Sequence, residues 1–203
     1  MTVPNGSSAA VTIDLHRGHL DPEVATMPLP ARVAARVTKA NAGFLREVRR
    51  RGLPIVHVMT SYRAVEEIAS NPWFAAVADT GATRGNALRH QLPGSPGLEL
   101  MPDVYDAEYD LVVTGKKRYD CFAATDLDHL LRSRSIDKLL LTGVNTNSCV
   151  LATTIAANVR DYVAVVVRDC VDTMDPALHD AALQVIEQAF GWVRSAEEVL
   201  AGL

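Results

Sequence analysis

A thiol, a carboxylate and an ammonium, each placed where an apolar run ends, are the side chains of this 203-residue chain that could do chemistry. The thiol is the most telling. The run Leu139-Leu140-Leu141 stops at Gly143, a small polar turn Val144-Asn145-Thr146-Asn147 follows, and Cys149 opens a helix expected to reach about residue 160. On the first turn of a helix, backbone N–H groups and the macrodipole favour negative charge. That setting is expected to lower the thiol pKa and to supply thiolate, the nucleophilic form. The competing reading of a cysteine in an apolar α/β sequence is a packed core residue, and Cys121 and Cys170 are read that way.

The elements that must hold these groups alternate along the chain. Buried strands are expected at residues 9–15, 53–59, 111–113, 138–141 and 162–167, with a short sixth at Trp192-Val193. Helices are expected at 29–51, 126–134 (with Thr125 as its cap), 148–160 and 176–190. The first carries Val33, Val37, Ala40, Phe44, Leu45 and Val48 at helical spacing and stops at Gly52. Its basic end, Arg46 to Arg51, suits the helix dipole and reads as a solvated helix end. Continuous Val/Leu runs alternating with helices imply a three-layer α-β-α fold: a doubly wound, mostly parallel sheet of about six strands. Ligands of such sheets bind beyond the carboxyl ends of the strands. By that rule Asp14, the pair Lys116-Lys117, and Cys149 converge on one rim. Residues 60–100 hold one short helical piece near 64–69 and then loops, a length that usually marks a lid or an interface.

Composition narrows the class. The chain is 48% hydrophobic and 22% charged with a net charge of −4, an ordinary globular balance with no electrostatic footprint for nucleic acid. Three scattered cysteines make neither a disulfide framework nor a CxxC pair. Residues 1–8 read as a flexible tail without signal-peptide character, residues 9–203 as one domain, and no segment approaches the roughly 20 apolar residues of a membrane span. A cytoplasmic domain is expected.

Three blocks together resemble the isochorismatase-like cysteine hydrolases. Val11-Thr12-Ile13-Asp14-Leu15 is similar to the family's first-strand block. Lys116-Lys117-Arg118-Tyr119-Asp120-Cys121-Phe122 is similar to K-x-R-Y-S-A-F, and Gly143-Val144-Asn145-Thr146-Asn147-Ser148-Cys149-Val150 to G-V-x-T-x-x-C-V. The resemblance implies a triad of Asp14, Lys116 and Cys149, a cis peptide between Val144 and Asn145, and an oxyanion hole made by the backbone N–H groups of Asn145 and Cys149. Lys116 is chosen over Lys117 by the K-x-R-Y spacing. It also implies a homodimer or homotetramer and a small amide or ureide as substrate, cleaved at a C–N bond through a thioester.

Departures from the family pattern bear on the walls of the site. His16 stands where relatives often have glutamine, either lining the pocket or making a structural hydrogen bond. Asp120-Cys121 replaces a small Ser-Ala pair, so Asp120 either recognises N–H or cationic groups or caps the following turn. Tyr119 reads as a wall contact, Arg118 as half of an ion pair, and Phe122, Trp73, Phe74, Tyr62 and His90 as weaker candidates. The segment Val58-Met59-Thr60-Ser61-Tyr62-Arg63 lacks the D-x-H of metal-dependent relatives, so neither metal nor cofactor is expected, and His57 reads as a core histidine. Vinyl-ether hydrolysis of the isochorismate type is the alternative reaction, with Cys149 arguing for C–N cleavage. A non-catalytic thiol sensor on the same fold is the alternative class. A dinucleotide-dependent dehydrogenase has little support, because no G-x-G-x-x-G follows the first strand.

Overall fold

A computed structural model describes residues 1–203. Six strands form one sheet: β1 (Ser8–Ile13), β2 (Ile55–Thr60), β3 (Leu111–Lys116), β4 (Lys138–Val144), β5 (Val163–Asp172) and β6 (Trp192–Arg194). Their order is β3-β2-β1-β4-β5-β6, and every neighbouring pair is parallel. The strand order therefore reverses direction between β1 and β4. At such a switch point the loops leaving two neighbouring strands diverge to opposite faces and open a crevice.

The eight α-helices are α1 (Arg17–Leu20), α2 (Ala31–Arg50), α3 (Val65–Ala69), α4 (Pro72–Val77), α5 (Leu127–Ser133), α6 (Leu151–Val159), α7 (Pro176–Ala189) and α8 (Ala196–Ala201). The period-2 alternation of β1 splits its side chains between two cores. Ala9, Val11 and Ile13 face the cluster covered by α5, α6 and α7, through Leu127, Leu131, Ala157 and Ile186. Ala10 faces the cluster covered by α2 and α8, through Val37, Phe44, Leu45, Val48 and Val199. A strand apolar on both faces has to be sandwiched, which is why the strands read as unbroken hydrophobic runs.

Element ends differ from the sequence reading in instructive ways. β3, β4 and β5 run to Lys116, Val144 and Asp172, several residues further than expected, so polar rim residues sit on strands rather than in loops. The fourth-strand helix starts earlier, with a π-turn at Thr146–Val150 leading into α6. Asp126, not Thr125, stands at the N-cap of α5, while the Thr125 hydroxyl accepts from the Leu127 N–H at 3.3 Å. The segment expected as a tail makes contacts: Ser8 belongs to β1, and the Ser7 carbonyl accepts from the N–H groups of Asp137 and Lys138. No helix is long and apolar enough to cross a membrane. A third, smaller cluster of Met27, Tyr62, Ile68, Phe74 and Ala87 gathers residues 60–90 into a roof over the carboxyl ends of β1, β2 and β3.

Candidate active site

Asp14 follows the last residue of β1 and adopts φ +54°, a left-handed conformation that non-glycine residues seldom take and that clusters at functional sites. Its carboxylate is fully buried. Oδ1 accepts two hydrogen bonds from Thr60 at the end of β2, from the backbone N–H and from the hydroxyl, both at 2.8 Å. Oδ2 accepts from Lys116 Nζ at 2.5 Å. Lys116 reaches inward because the β2–β3 register slips between Val58 and Thr60, pairing Thr60 with Lys116. Its ammonium donates to Thr60 Oγ1 at 2.7 Å and to Cys149 Sγ at 3.4 Å. One buried ammonium thus touches both the carboxylate and the thiol. Lys117 points elsewhere, to the Ser61 carbonyl and Glu67.

Gly143 makes the approach of β1 and β4 possible. It pairs with Ile13, has φ +107°, and a Cβ there would lie 2.0 Å from the Ile13 carbonyl oxygen. Only glycine fits that position. The Val144–Asn145 peptide bond is cis, and the π-turn that follows places Cys149, 5% exposed, against Lys116. Asn145 is 1% exposed and its Oδ1 accepts from Thr173 Oγ1 at 3.2 Å.

The charges of the site are set by burial and by one another. For Asp14, burial works upward, but the Lys116 charge and His16 outweigh it and hold the carboxyl well below its ordinary range. For Lys116, burial works downward, but Asp14 and Cys149 more than compensate and the ammonium is held above its ordinary value. Cys149 contradicts the sequence expectation. Burial pushes its thiol up, Lys116 pulls it down only in part, and the net position is above the ordinary thiol value. The helix start does not lower the thiol, because the sulfur is removed from water and Asp14 adds a negative charge to the same space. The resting site is therefore carboxylate, ammonium and neutral thiol.

Asp14, Lys116 and Cys149 share a cavity whose walls include Thr60, Tyr62, Phe74, Arg84, His90 and Tyr119. The space left free is about 30 Å³, room for about one water molecule. Tyr119 stands on this wall, edge-to-face with Phe74. Three expected wall residues stand back from it. Phe122 is buried in the main core and stacks on Tyr162. The Asp120 carboxylate accepts from the Phe122 N–H at 2.8 Å and so closes its own turn. His16 is fully buried behind Asp14, its Nε2 3.6 Å from Oδ1. Arg118 donates to the carbonyls of Glu67 and Lys117 and to Ser70 instead of forming an ion pair, and Trp73 is exposed. His57 is a satisfied core histidine between Thr12 and Asp110.

Thr60, His19 and Arg84 were not singled out from sequence. The strand-end rule, applied to β2, would have selected Thr60, and the spacing His16-x-x-His19 was visible. Arg84, in an irregular segment, carried no local signal. His16, His19 and His90 pack together with ligand-capable nitrogens within 4.8 Å of one another. The His16 and His19 rings are stacked, 4.9 Å between centroids and 19° between planes. His19 Nδ1 bonds the Met27 carbonyl at 2.9 Å and His90 Nδ1 the Thr26 hydroxyl at 2.7 Å. The three imidazoles form a donor set of the kind that can hold a metal ion.

The Isochorismatase domain family matches residues 8–198 of this chain. The chain belongs to the isochorismatase family. Among relatives, it is 33% identical over 175 residues to the ureidoacrylate amidohydrolase RutB of Methylobacterium radiotolerans, a match covering 83% of this chain and 64% of that protein's length. The RutB of Pseudomonas syringae pv. syringae is 29% identical over 206 residues, 95% of this chain and 82% of the relative. Among solved structures, an isochorismatase family protein from Burkholderia thailandensis superposes with a TM-score of 0.78 at 30% identity, over 99% of this chain and 97% of that one. The N-carbamoylsarcosine amidase of Thermoplasma acidophilum does so with a TM-score of 0.73 at 25% identity, over 94% and 97%. The six-stranded parallel sheet with helices on both faces is the isochorismatase-family fold.

Proposed function

We propose that this isochorismatase-family protein is a hydrolase that cleaves the C–N bond of a small amide or ureide through a thioester on Cys149. The observation that carries the reading is one buried ammonium, Lys116 Nζ, bonded both to Asp14 at 2.5 Å and to Cys149 Sγ at 3.4 Å in a shared cavity. Similarity to ureidoacrylate amidohydrolases and to an N-carbamoylsarcosine amidase supports the substrate class.

Asp14 acts as the base. It takes the Sγ proton as the sulfur attacks the carbonyl carbon, and Lys116 stabilises the charge that develops on sulfur. The backbone N–H groups of Asn145 and Cys149 receive the oxyanion, a contribution of about 2.7–4 kcal/mol per donor in acyl transfer. The tetrahedral adduct collapses, Asp14 returns its proton to the leaving nitrogen, and the amine or ammonia departs. Water then gives a proton to Asp14 and its hydroxide to the thioester carbon; the C–S bond breaks, the acid is released, and the departing sulfur takes the proton back from Asp14 to restore the thiol and the carboxylate. Because the resting thiol is neutral, proton transfer to Asp14 accompanies attack and does not precede substrate binding.

The test is an ammonia-release screen over small amides and ureides, with Cys149→Ser as control. Turnover by the native protein that falls at least about a thousandfold in the variant is expected for loss of a covalent nucleophile. Near-native turnover by Cys149→Ser would overturn the covalent mechanism. Hydrolysis confined to vinyl ethers and insensitive to the substitution would overturn the C–N assignment.

A further inference from the structure

Arg84 is the cation of the cavity that the reaction above leaves without a task. Of the three cationic side chains lining the space, Lys116 is committed to Asp14 and Cys149, and Arg118 to two backbone carbonyls and Ser70. Arg84 has neutral partners: Ser148 Oγ at 3.0 Å from Nη2, the Met27 sulfur at 4.0 Å from Nη1, and the Tyr119 side chain. Its guanidinium carbon lies 5.7 Å from the centre of the Tyr119 ring, which supports its face. Exposed arginines nearby are paired with carboxylates: Arg63 with Glu67, and Arg89 with Asp79. Arg84, drawn into the cavity, is not.

Resting on the amidohydrolase reading, we infer that Arg84 is the binding site for a carboxylate on the substrate, so that the protein acts on amide or ureide acids in preference to neutral amides. The guanidinium carries five donors in a planar fork that matches a carboxylate with two parallel bonds. Ser148 offers the guanidinium one neutral oxygen, whereas a carboxylate offers two oxygens and a full opposite charge, the bidentate pairing that is strongest for arginine. With about 30 Å³ free, a substrate enters only by displacing something, and a carboxylate replaces what Arg84 gives up. Neutral amides offer no such compensation. Ser148 directly precedes Cys149, so a carboxylate held by the guanidinium lies only a few bonds from the carbonyl carbon that faces the sulfur. The acid and the scissile carbonyl therefore belong to one small molecule. The cavity contains one carboxylate, Asp14, already neutralised by Lys116, so nothing in it competes for the Arg84 charge.

Binding to the Cys149→Ser protein, measured by calorimetry, isolates this step from turnover. The probes are 3-ureidopropionate and its neutral counterpart, 3-ureidopropionamide. The acid is expected to bind about 10- to 100-fold more tightly, the range for a hydrogen bond to a charged partner. Adding Arg84→Gln should erase that preference while changing the affinity of the amide by no more than about threefold, and Arg84→Lys should keep part of it. Equal affinity for both probes, an equal loss for both on Arg84→Gln, or no binding of the acid would overturn the assignment. Failure of the amidohydrolase reading shows separately, as absence of ammonia release by the Cys149-containing protein.

Discussion

Lys116 gathers the chemistry of the site at a single nitrogen. It is 1% exposed, and an ammonium so buried is tolerable only because Asp14, Thr60 and Cys149 receive its three donors. Removing it leaves the Asp14 carboxylate buried and unpaired. Lys116→Met is therefore expected to destabilise the fold by about 3–5 kcal/mol in denaturant titrations and to move alkylation of Cys149 by iodoacetamide to higher pH, since burial and Asp14 would then raise the thiol unopposed. Restored stability in the Asp14→Asn/Lys116→Met double variant would attribute the loss to the unpaired charge. A thiol that alkylates in Lys116→Met with an unchanged pH profile would show that the ammonium does not act on the sulfur. At position 16 a fully buried ring sits behind the carboxylate and adds to the forces holding Asp14 ionised.

At the scale of elements, the site is a property of strand ends. β1 delivers Asp14, β2 Thr60, β3 Lys116, and the turn after β4 Cys149. Their mutual placement depends on how closely β1 and β4 approach, which Gly143 sets. Gly143→Ala is expected to lose at least about 1–3 kcal/mol from backbone conformation alone, with more from the 2.0 Å contact to Ile13, and to abolish activity because Asp14 and Cys149 hang from the two displaced strands. A thermal melt together with an ammonia assay checks this. A variant that melts lower yet keeps full turnover would show that the strand spacing is not what positions the pair. The irregular segments differ in kind. The roof over the cavity is held by a small separate cluster, so substitutions there are expected to act on substrate entry more than on the sheet.

Across the whole molecule, buried titratable groups make the fold sensitive to acid. Burial lowers His19 to about 3 and holds His90 well below its ordinary value. Both are neutral in the folded state and charge readily once unfolded, with an ordinary pKa of about 6.5. Between roughly pH 6.5 and 3 the unfolded chain binds protons that the folded chain refuses, so stability falls as pH falls through that window, by up to about 1.4 kcal/mol per pH unit for each such histidine. Asp14 acts lower still. Its folded pKa is depressed, so its contribution is present above the ordinary carboxylate range and is lost as pH drops through the folded value. Urea midpoints measured from pH 8 to pH 4 should decline on the acidic side, and His90→Gln should flatten part of that slope. A midpoint independent of pH over this interval would contradict the neutral-histidine assignment.

The chain by itself determined which segments become buried strands, because apolar residues on both faces of a strand demand helices on both sides. It also determined that a carboxylate, a lysine pair and a thiol lie at strand ends, because period and punctuation are local properties. The K-x-R-Y spacing favoured Lys116 over Lys117, but only the tertiary structure decided how it turns inward, through a register slip between β2 and β3. It also decided that Thr60 completes the network, and that Arg84, from a segment without periodicity, reaches Ser148 beside Cys149. The protonation state of Cys149 belongs to this second group. A helix start, read locally, predicts a lowered thiol pKa, but desolvation and the field of Asp14 come from residues far away in sequence, and they act in the opposite direction.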